Sequence, residues 1–204
     1  MPEIRPYRPA DRDALYDICV RTADAGDDAR GRYSHDNLMG DLFAVPYAVL
    51  EPDMAFVVDD GRGRAVGYIV GTKDTATFVR RYAAEWTPVA GPRYGDDERD
   101  REMLRLLHRP EHMLVADLAG YPAHLHMNVL PAFQRQGYGR GLMETYLAAA
   151  DRAGAERVWL GMLTVNVRAR AFYDRLGFTE LPVRNPEPLT YLGRPTGVNG
   201  QRSR

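Results

Sequence analysis

The sequence lacks several features that would assign it to common classes of protein. It has one cysteine, Cys19, among 204 residues, so an internal disulfide is excluded. Cys19 lies in an apolar helical pattern with Leu15 and Ile18, and we expect a buried small side chain rather than a nucleophile. Its cysteine and histidines show no metal-ligand spacing, so no metal site is predicted.

Excess charge of either sign and long apolar runs are absent as well. The 27 basic and 28 acidic residues give a formal net charge of -1, so the overall charge provides no attraction to nucleic acid or to an anionic membrane. No apolar run approaches the length of a membrane span, and the N-terminus lacks a basic segment followed by an apolar one. We therefore expect no nucleic-acid partner, no membrane partner and a cytoplasmic location.

Strand and helix patterns alternate in the second half of the chain. They predict strands at 123–130 and 157–163, a helix at 137–153 ended by Gly154, and a helix at 166–176 ended by Gly177. In the first half, a strand at 4–7 precedes a helix and an irregular loop at 22–34. Strands at 55–58 and 65–70 then form a hairpin around Gly61 and Gly63.

The remaining segments complete one expected domain over residues 1–193. Residues 73–112 have a helical pattern, and 178–181 with 189–192 predict a final antiparallel pair. The polar segment 194–204 is expected to be a flexible tail. This order of elements predicts a mixed α/β sheet with helices on both faces.

The most informative segment is the glycine-rich turn between the predicted strand at 123–130 and the helix that follows. A helix N-terminus offers free N–H groups and the positive end of the helix dipole, and glycines let an anion approach the backbone. Gly137 and Gly139 provide the glycines, and Arg135 and Arg140 add positive charge, so we predict a pyrophosphate cradle. The Gly-Lys-Ser/Thr ending of a Walker loop and the Rossmann glycine spacing are both absent.

Two blocks of sequence resemble the GNAT superfamily of N-acetyltransferases. Residues 134–139, Gln-Arg-Gln-Gly-Tyr-Gly, resemble its Gln/Arg-x-x-Gly-x-Gly/Ala signature. Residues 166–178 resemble its Asn-x-x-Ala-x-x-Phe-Tyr-x-x-x-Gly-Phe block. The resemblance implies a twisted, mostly antiparallel central sheet with helices on both faces, and acetyl-coenzyme A (acetyl-CoA) as co-substrate.

The resemblance also implies roles for individual residues. The strand around Met127 would pair with the pantetheine arm as an added strand would. Asn166 would contact the same arm, although its position also suits a helix N-cap. Tyr173 would protonate the leaving thiolate. The residues so implied for the cofactor site are Met127, Asn128, Val129, Gln134, Arg135, Gln136, Gly137, Tyr138, Gly139, Arg140, Asn166, Phe172, Tyr173 and Arg175.

The middle of the chain adds a closer resemblance. Residues 67–78 and 85–88 are similar to the acetyltransferase-like C-terminal domain of animal O-GlcNAcases, and residues 37–42 are more loosely so. A helical insert between the third and fourth strands, here at about 73–112, belongs to that likeness. The animal domain lacks a good glycine-rich loop, whereas this chain has one. No glycosidase activity is inferred, because the paired carboxylates of that chemistry belong to a different domain.

The catalytic base is left open between several groups. Period-2 geometry puts His124 and His126 on one face of a strand, in a His-Leu-His context similar to arylalkylamine N-acetyltransferases, where such a pair relays the proton. Here the pair lies one residue closer to the glycine-rich loop, which reverses the face unless a bulge compensates. The alternative is that these histidines pack against a helix or face solvent. Asp117 is a further candidate base, as are Asp74 and Glu85.

These observations predict direct acetyl transfer from acetyl-CoA to the amine of a small molecule or peptide. The alternative is an acetyl-CoA-binding or peptide-binding module without transferase activity. An acidic stretch (Asp24, Asp27, Asp28) could attract a cationic acceptor or be a solvated loop, and the aromatic group Tyr82, Trp86 and Tyr94 could line an acceptor groove or belong to the core. We expect a monomer or a homodimer; the sequence does not identify the acceptor.

Overall fold

A seven-stranded mixed sheet forms the centre of the molecule, in the order β1-β2-β3-β4-β5-β7-β6. The computed structural model describes residues 1–197. Neighbouring strands are antiparallel except for β4 and β5, which are parallel, so the predicted mixed and mostly antiparallel sheet is confirmed. The strands are β1 Glu3–Pro6, β2 Ala55–Asp59, β3 Ala65–Thr72, β4 Ala123–Val129, β5 Arg157–Leu163, β6 Thr179–Glu180 and β7 Leu189–Pro195.

Eight α-helices accompany the sheet in the described residues. They are α1 Arg12–Val20, α2 Leu38–Phe43, α3 Val45–Leu50, α4 Thr75–Arg81, α5 Thr87–Ala90, α6 Arg101–His108, α7 Tyr138–Arg152 and α8 Val167–Arg175. A π-helical turn, Tyr82–Trp86, joins α4 to α5. No helix among residues 1–197 has both the length and the apolar character that a membrane crossing requires.

The hairpin of β2 and β3 supplies the middle of the sheet. Asp59 stabilises its turn, because one carboxylate oxygen accepts the backbone N–H of Gly61 at 2.8 Å and that of Gly63 at 3.0 Å. Both glycines have positive φ, as the predicted turn requires. Every residue of β3 is buried, as its nearly unbroken apolar sequence leads one to expect of a central strand covered on both faces.

Helix α7 covers the sheet and ends at the residue that its sequence predicts. Leu142, Met143 and Tyr146 are buried along its length. After the last turn, Gly154 has φ +84°, and the N–H of Ala155 reaches back to the carbonyl of Ala150 at 3.0 Å. These are the features of a Schellman C-cap, which glycine favours because it adopts left-handed backbone without strain.

The insert between β3 and β4 is held by a buried carboxylate, that of Asp41 in α2. This side chain is inaccessible to solvent and accepts hydrogen bonds from the hydroxyls of Tyr16 and Tyr94, each at 2.5 Å. The Arg93 guanidinium bonds to both carboxylate oxygens, at 2.9 and 3.0 Å. Asp41 therefore ties the insert to the helices at the front of the chain.

The backbone carbonyl of Asp41 binds two aromatic residues of the insert. Trp86 Nε1 and the Tyr82 hydroxyl donate to the backbone carbonyl of Asp41, at 2.8 and 3.1 Å. Both side chains are buried, so they belong to the core and do not line a groove. Cys19 is also buried, as expected.

The C-terminal elements differ from the sequence prediction in their bounds. Strand β7 continues to Pro195, beyond the predicted boundary at 193, because its register with β5 runs from Leu163↔Leu189 to Arg157↔Pro195. Strand β6 is limited to two residues of the predicted 178–181. Most of the predicted tail, residues 198–204, lies outside the described residues.

Candidate active site

The sheet opens between its two parallel strands. Strand β4 pairs with β3 from Thr72↔His124 to Gly67↔Val129, which covers all of β4 except its first residue. Its pairing with β5 is limited to Ala123↔Val158 and His124↔Trp159. Beyond His124 the two strands diverge and leave a cleft, and the half-buried residues 126–128 lie along it.

The backbone of Met127 faces this cleft. The N–H of Leu130, just after β4, donates to the Val66 carbonyl of β3 at 3.0 Å. Because backbone groups alternate sides along a strand, the even-numbered residues of β4 direct their N–H and carbonyl groups toward β3. Odd-numbered residues therefore direct theirs toward the cleft. The Val129 carbonyl on that side accepts from Gln134 Nε2 at 2.8 Å. Met127 is left with an N–H and a carbonyl that an extended amide chain could pair with.

The turn before α7 has left-handed backbone at two positions and open space in front of the helix. Gly137 caps the helix with left-handed φ +88°, and Arg135 is also left-handed at φ +60°. A Cβ at Gly137 would meet no protein atom within 4 Å, so the space before the helix is open. At Gly139 a Cβ would lie 3.2 Å from the Phe172 ring, so this glycine allows α8 to pack closely against α7. Gly137 thus leaves the approach to the helix open, and Gly139 permits the packing of two helices.

The polar side chains of this turn are of two kinds, amides that hold the turn in shape and exposed guanidinium groups. Gln134 bonds to the Val129 carbonyl, and Gln136 Nε2 donates to the Ala132 carbonyl at 2.9 Å, so both hold the turn in shape. Arg135 is exposed and has no ion-pair partner among residues 1–197, and Arg140 lies 3.8 Å from Glu144. Free N–H groups, an open approach and two guanidinium groups fit a pyrophosphate.

Helix α8 brings Asn166 and Tyr173 to the same region. Asn166 caps the helix, because its Oδ1 accepts the N–H of Ala169 at 3.0 Å. A Cβ at Gly26 would lie 3.6 Å from Asn166 Nδ2, so the loop between α1 and α2 passes beside this amide. The cap does not occupy Nδ2, and the two roles predicted for Asn166 are therefore compatible.

Tyr173 is 7% exposed, and its ring packs against Phe172 and Phe178. Every fully buried side-chain nitrogen or oxygen in the described residues has a hydrogen-bond partner, whereas the Tyr173 hydroxyl has none among them. The hydroxyl must therefore reach solvent. Burial raises the pKa of Tyr173 above its ordinary value, which keeps the hydroxyl protonated and able to donate.

The two histidines of β4 lie on the face covered by α3 and α4. The register of β3 with β4 runs without a bulge, so both rings share one face as the period of two predicts. No bulge compensates for the one-residue offset from the arylalkylamine N-acetyltransferase pattern, so a base role for either histidine depends on its own surroundings and not on that resemblance. His124 is 2% exposed and His126 is half-buried. The Tyr47 hydroxyl lies between them, 2.8 Å from His124 Nε2 and 3.2 Å from His126 Nε2. Thr75 Oγ1 lies 2.8 Å from His124 Nδ1.

Both histidines are neutral near pH 7. Burial, with a smaller contribution from neighbouring His112, lowers the pKa of His126 to about 4. Burial also lowers the pKa of His124 well below its ordinary value, helped by His126 and His112. A neutral imidazole can accept a proton, so His126, with its exposed part, can act as a base.

The carboxylates considered as bases have other partners. Asp117 accepts the backbone N–H of Arg184 at 3.0 Å and pairs with its guanidinium, and it makes no contact with either histidine of β4 in the described residues. Asp74 caps α4 through Thr77, and Glu85 pairs with Arg81. The three acids of the predicted acidic stretch are each paired with an arginine, in Asp24–Arg32, Asp27–Arg168 and Asp28–Arg30.

Sequence reasoning missed Tyr47 and Thr75. Tyr47 precedes His124 by 77 residues and lies in a short helix whose pattern is that of a buried core segment. Thr75 lies at the start of α4, where it reads as an ordinary first-turn residue. Nothing in the spacing of these residues signals their contact with the histidines.

A family model described as "Acetyltransferase (GNAT) family" matches residues 14–178. Protein O-GlcNAcase of Rattus norvegicus is 26% identical over 200 residues, which cover 94% of this chain and 22% of that protein, so the chain spans about a fifth of its length. The [Ribosomal protein bS18]-alanine N-acetyltransferase of Escherichia coli K12 is 35% identical over 68 residues, 33% of this chain and 46% of that one. The chain in the crystal structure of SsHAT has 53% sequence identity to this one. The two superimpose over 97% of this chain and 99% of that chain, with a TM-score of 0.92.

Proposed function

Because this chain belongs to the GNAT acetyltransferase family, we propose that it transfers the acetyl group of acetyl-CoA directly to an amine. The observation that supports this best is the meeting of three elements at the cleft. A Cβ at Gly139 of α7 would lie 3.2 Å from Phe172 of α8 and 4.0 Å from Met127 of β4. The anion-binding turn, the open strand edge and the helix with the free tyrosine hydroxyl therefore adjoin one another.

The chain's own groups would hold the co-substrate along this cleft. The N–H groups at the start of α7, with Arg135 and Arg140, would bind the pyrophosphate. The backbone of Met127 and the free Nδ2 of Asn166 would bind the amides of the pantetheine arm. Bound acetyl-CoA supplies an activated acetyl group as a thioester.

The reaction requires one proton to leave nitrogen and one to reach sulfur. As the amine nitrogen bonds to the acetyl carbon and the carbon–sulfur bond breaks, His126 accepts the amine proton and Tyr173 donates its own to the thiolate. Exchange with solvent then returns both side chains to their starting states. Cys19 is buried, and burial raises the pKa of its thiol to about 11, which argues against an acetylated enzyme intermediate at this residue.

Thiol release with acetyl-CoA and a panel of amines tests the proposal. The panel should contain small amines, polyamines, aminosugars and peptides with a free N-terminus or a lysine. We expect at least one amine to raise thiol release above the rate with water. No amine doing so, with acetyl-CoA bound, would contradict transfer.

The variant Tyr173→Phe tests the proton donor. Because Phe keeps the packing against Phe172 and Phe178, we expect kcat to fall by about a hundredfold or more while acetyl-CoA binding is kept. Tyr7→Phe is the matched control, since Tyr7 is half-buried at the far end of β1 and lies outside the cleft. Equal kcat values for the two variants would remove Tyr173 from the mechanism.

A second candidate is an acetyl-CoA-binding module without transfer. The similarity to protein O-GlcNAcase, which extends over 94% of this chain, is the observation in its favour. Thermal stabilisation by acetyl-CoA together with no turnover of any amine is the result that this candidate predicts.

A further inference from the structure

A continuous chain of hydrogen bonds runs from the interior to His126. It begins at the Pro122 carbonyl, 2.8 Å from Thr75 Oγ1, and continues from Thr75 Oγ1 to His124 Nδ1 at 2.8 Å. From His124 Nε2 it passes to the Tyr47 hydroxyl at 2.8 Å and then to His126 Nε2 at 3.2 Å. Helices α3 and α4, strand β4 and the turn before β4 thus contribute to one chain of hydrogen bonds.

The direction of every bond follows from the carbonyl at the inner end. A carbonyl oxygen only accepts, so the single proton of Thr75 must point to Pro122, because two oxygens 2.8 Å apart without a proton between them repel. Thr75 Oγ1 is then an acceptor, and His124 carries its proton on Nδ1. His124 Nε2 is consequently bare and accepts from Tyr47.

The same reasoning fixes His126. With its proton directed to His124, the Tyr47 oxygen accepts from His126 Nε2–H. Met113 Sδ, 3.4 Å from the Tyr47 hydroxyl, is a weak acceptor and does not compete with an imidazole nitrogen at 2.8 Å. Nδ1 of His126 is left without a proton and without a partner in the described residues. Since no fully buried polar atom there lacks a partner, Nδ1 has access to solvent.

We propose that Tyr47 is a positioning residue for acetyl transfer, setting the tautomer of His126 so that its accessible Nδ1 is the atom that receives the amine proton. This inference rests on the proposed function. When the proton arrives at Nδ1, the bond from Nε2–H to Tyr47 becomes charge-assisted and strengthens. Tyr47 thus favours the proton-bearing imidazole at the moment of transfer.

Tyr47 has the packing that such a role requires. It is 1% exposed, its ring stacks on Phe78 with centroids 4.3 Å apart, and it meets both histidine rings edge-on. These contacts hold its ring in the orientation that places the hydroxyl between the two Nε2 atoms. Phenylalanine in its place would keep the ring contacts and remove only the bridge.

Tyr47→Phe tests the inference, with Tyr82→Phe as the matched control. Tyr82 is also 1% exposed and packs against Phe78, but its hydroxyl bonds to the Asp41 carbonyl and not to a histidine. We expect Tyr47→Phe to lower kcat about tenfold or more with the KM for acetyl-CoA unchanged. Tyr82→Phe should keep the wild-type kcat.

The pH profile provides a readout that a purely structural role would not change. The titratable groups that face His126 are His124 of β4, Tyr47 of α3 and His112 of the turn before β4. Without Tyr47 the imidazolium form of His126 loses its acceptor, so its pKa falls further and the acid limb of kcat moves to lower pH. An unmoved acid limb together with an unchanged kcat in Tyr47→Phe overturns the proposal.

The tautomer can be measured directly in the whole protein with 15N-labelled histidine. We expect Nε2–H for His126 and Nδ1–H for His124 in the wild type, and a mixture at His126 in Tyr47→Phe. Thr75→Val should release the tautomer of His124, and Thr75→Ser should restore it. An Nδ1–H tautomer at His126 in the wild type contradicts the proposal. Failure of every amine to react refutes the proposed function, whereas turnover with unchanged Tyr47→Phe kinetics refutes only the role of Tyr47.

Discussion

Replacing Gly137 by alanine tests the predicted anion site, because the effect on protein stability can be separated from the effect on acetyl-CoA binding. Gly137 has φ +88°, and a Cβ there would meet no protein atom within 4 Å. The substitution therefore causes no clash within the chain and places a methyl group where the pyrophosphate would approach. Gly154, at the other end of α7, has φ +84° and equally open surroundings. Gly154→Ala is thus a control with the same local strain on the same helix.

The expected losses of stability are equal. A left-handed conformation costs an L-residue about 1–2 kcal/mol, and the stiffer unfolded chain of alanine offsets part of it, about 0.4–1 kcal/mol. Each variant should therefore be destabilised by about 1 kcal/mol, a fall in Tm of about 2–4 °C for a chain of this size.

The expected losses of binding differ. Acetyl-CoA at a hundred times its Kd stabilises a protein by about 2.7 kcal/mol. Losing one hydrogen bond to a charged group, about 2 kcal/mol, weakens binding about thirtyfold and leaves about 0.9 kcal/mol of stabilisation at the same ligand concentration. Thermal unfolding with and without acetyl-CoA measures both quantities in each variant. Equal ligand-induced shifts in Gly137→Ala and Gly154→Ala would refute the assignment of the cradle.

Two further predictions concern the two faces of the sheet at β3 and β4, the histidines on one and Gly71, beneath α7, on the other. The unfolded chain binds protons at His124 and His126 near pH 6.5, whereas burial lowers the pKa of His126 to about 4 and that of His124 well below its ordinary value. The contribution of the two neutral histidines to the free energy of unfolding should therefore be fully present above pH 6.5 and be lost toward pH 4, by up to about 1.4 kcal/mol per pH unit for each histidine. Urea unfolding at several pH values measures this dependence; His126→Gln should make the free energy of unfolding depend less steeply on pH, and an unchanged dependence would contradict the lowered pKa. A Cβ at Gly71 would lie 2.3 Å from the His124 carbonyl oxygen, a backbone atom, and 2.5 Å from the Tyr146 hydroxyl. Gly71→Ala should cost at least about 2 kcal/mol of unfolding free energy, while Gly95→Ala, in open surroundings at ordinary φ, should be near neutral; similar values for the two would refute the close approach.

The features that sequence alone predicted are those encoded by neighbouring residues. The turn at Gly137, the helix that follows it and its stop at Gly154 depend on glycine conformation within a few positions. The shared face of His124 and His126 depends only on the period of a strand. The mixed sheet follows from the order of these local patterns.

The features that sequence could not provide depend on contacts between distant segments. The Tyr47 bridge and the carboxylate of Asp41 join residues far apart in the chain, and no local pattern marks a buried hydroxyl or carboxylate as a connector. The early divergence of β4 from β5 is equally hidden, because both strands have ordinary strand sequences over their full lengths. The role of Asp117 as a base remains a prediction that the Arg184 pair does not favour.

The divergence of β4 from β5 has a mechanical consequence. In the part of the chain that the structure describes, two residue pairs join the half-sheet β1–β4 to the half-sheet of β5, β7 and β6. A ligand whose amide arm bonded to Met127 on one side and to Asn166 on the other would connect the two half-sheets where β4 and β5 do not pair. The affinity for the ligand and the association of the two half-sheets would then be thermodynamically coupled, so a substitution that weakens the pairing of β4 with β5 would also weaken ligand binding.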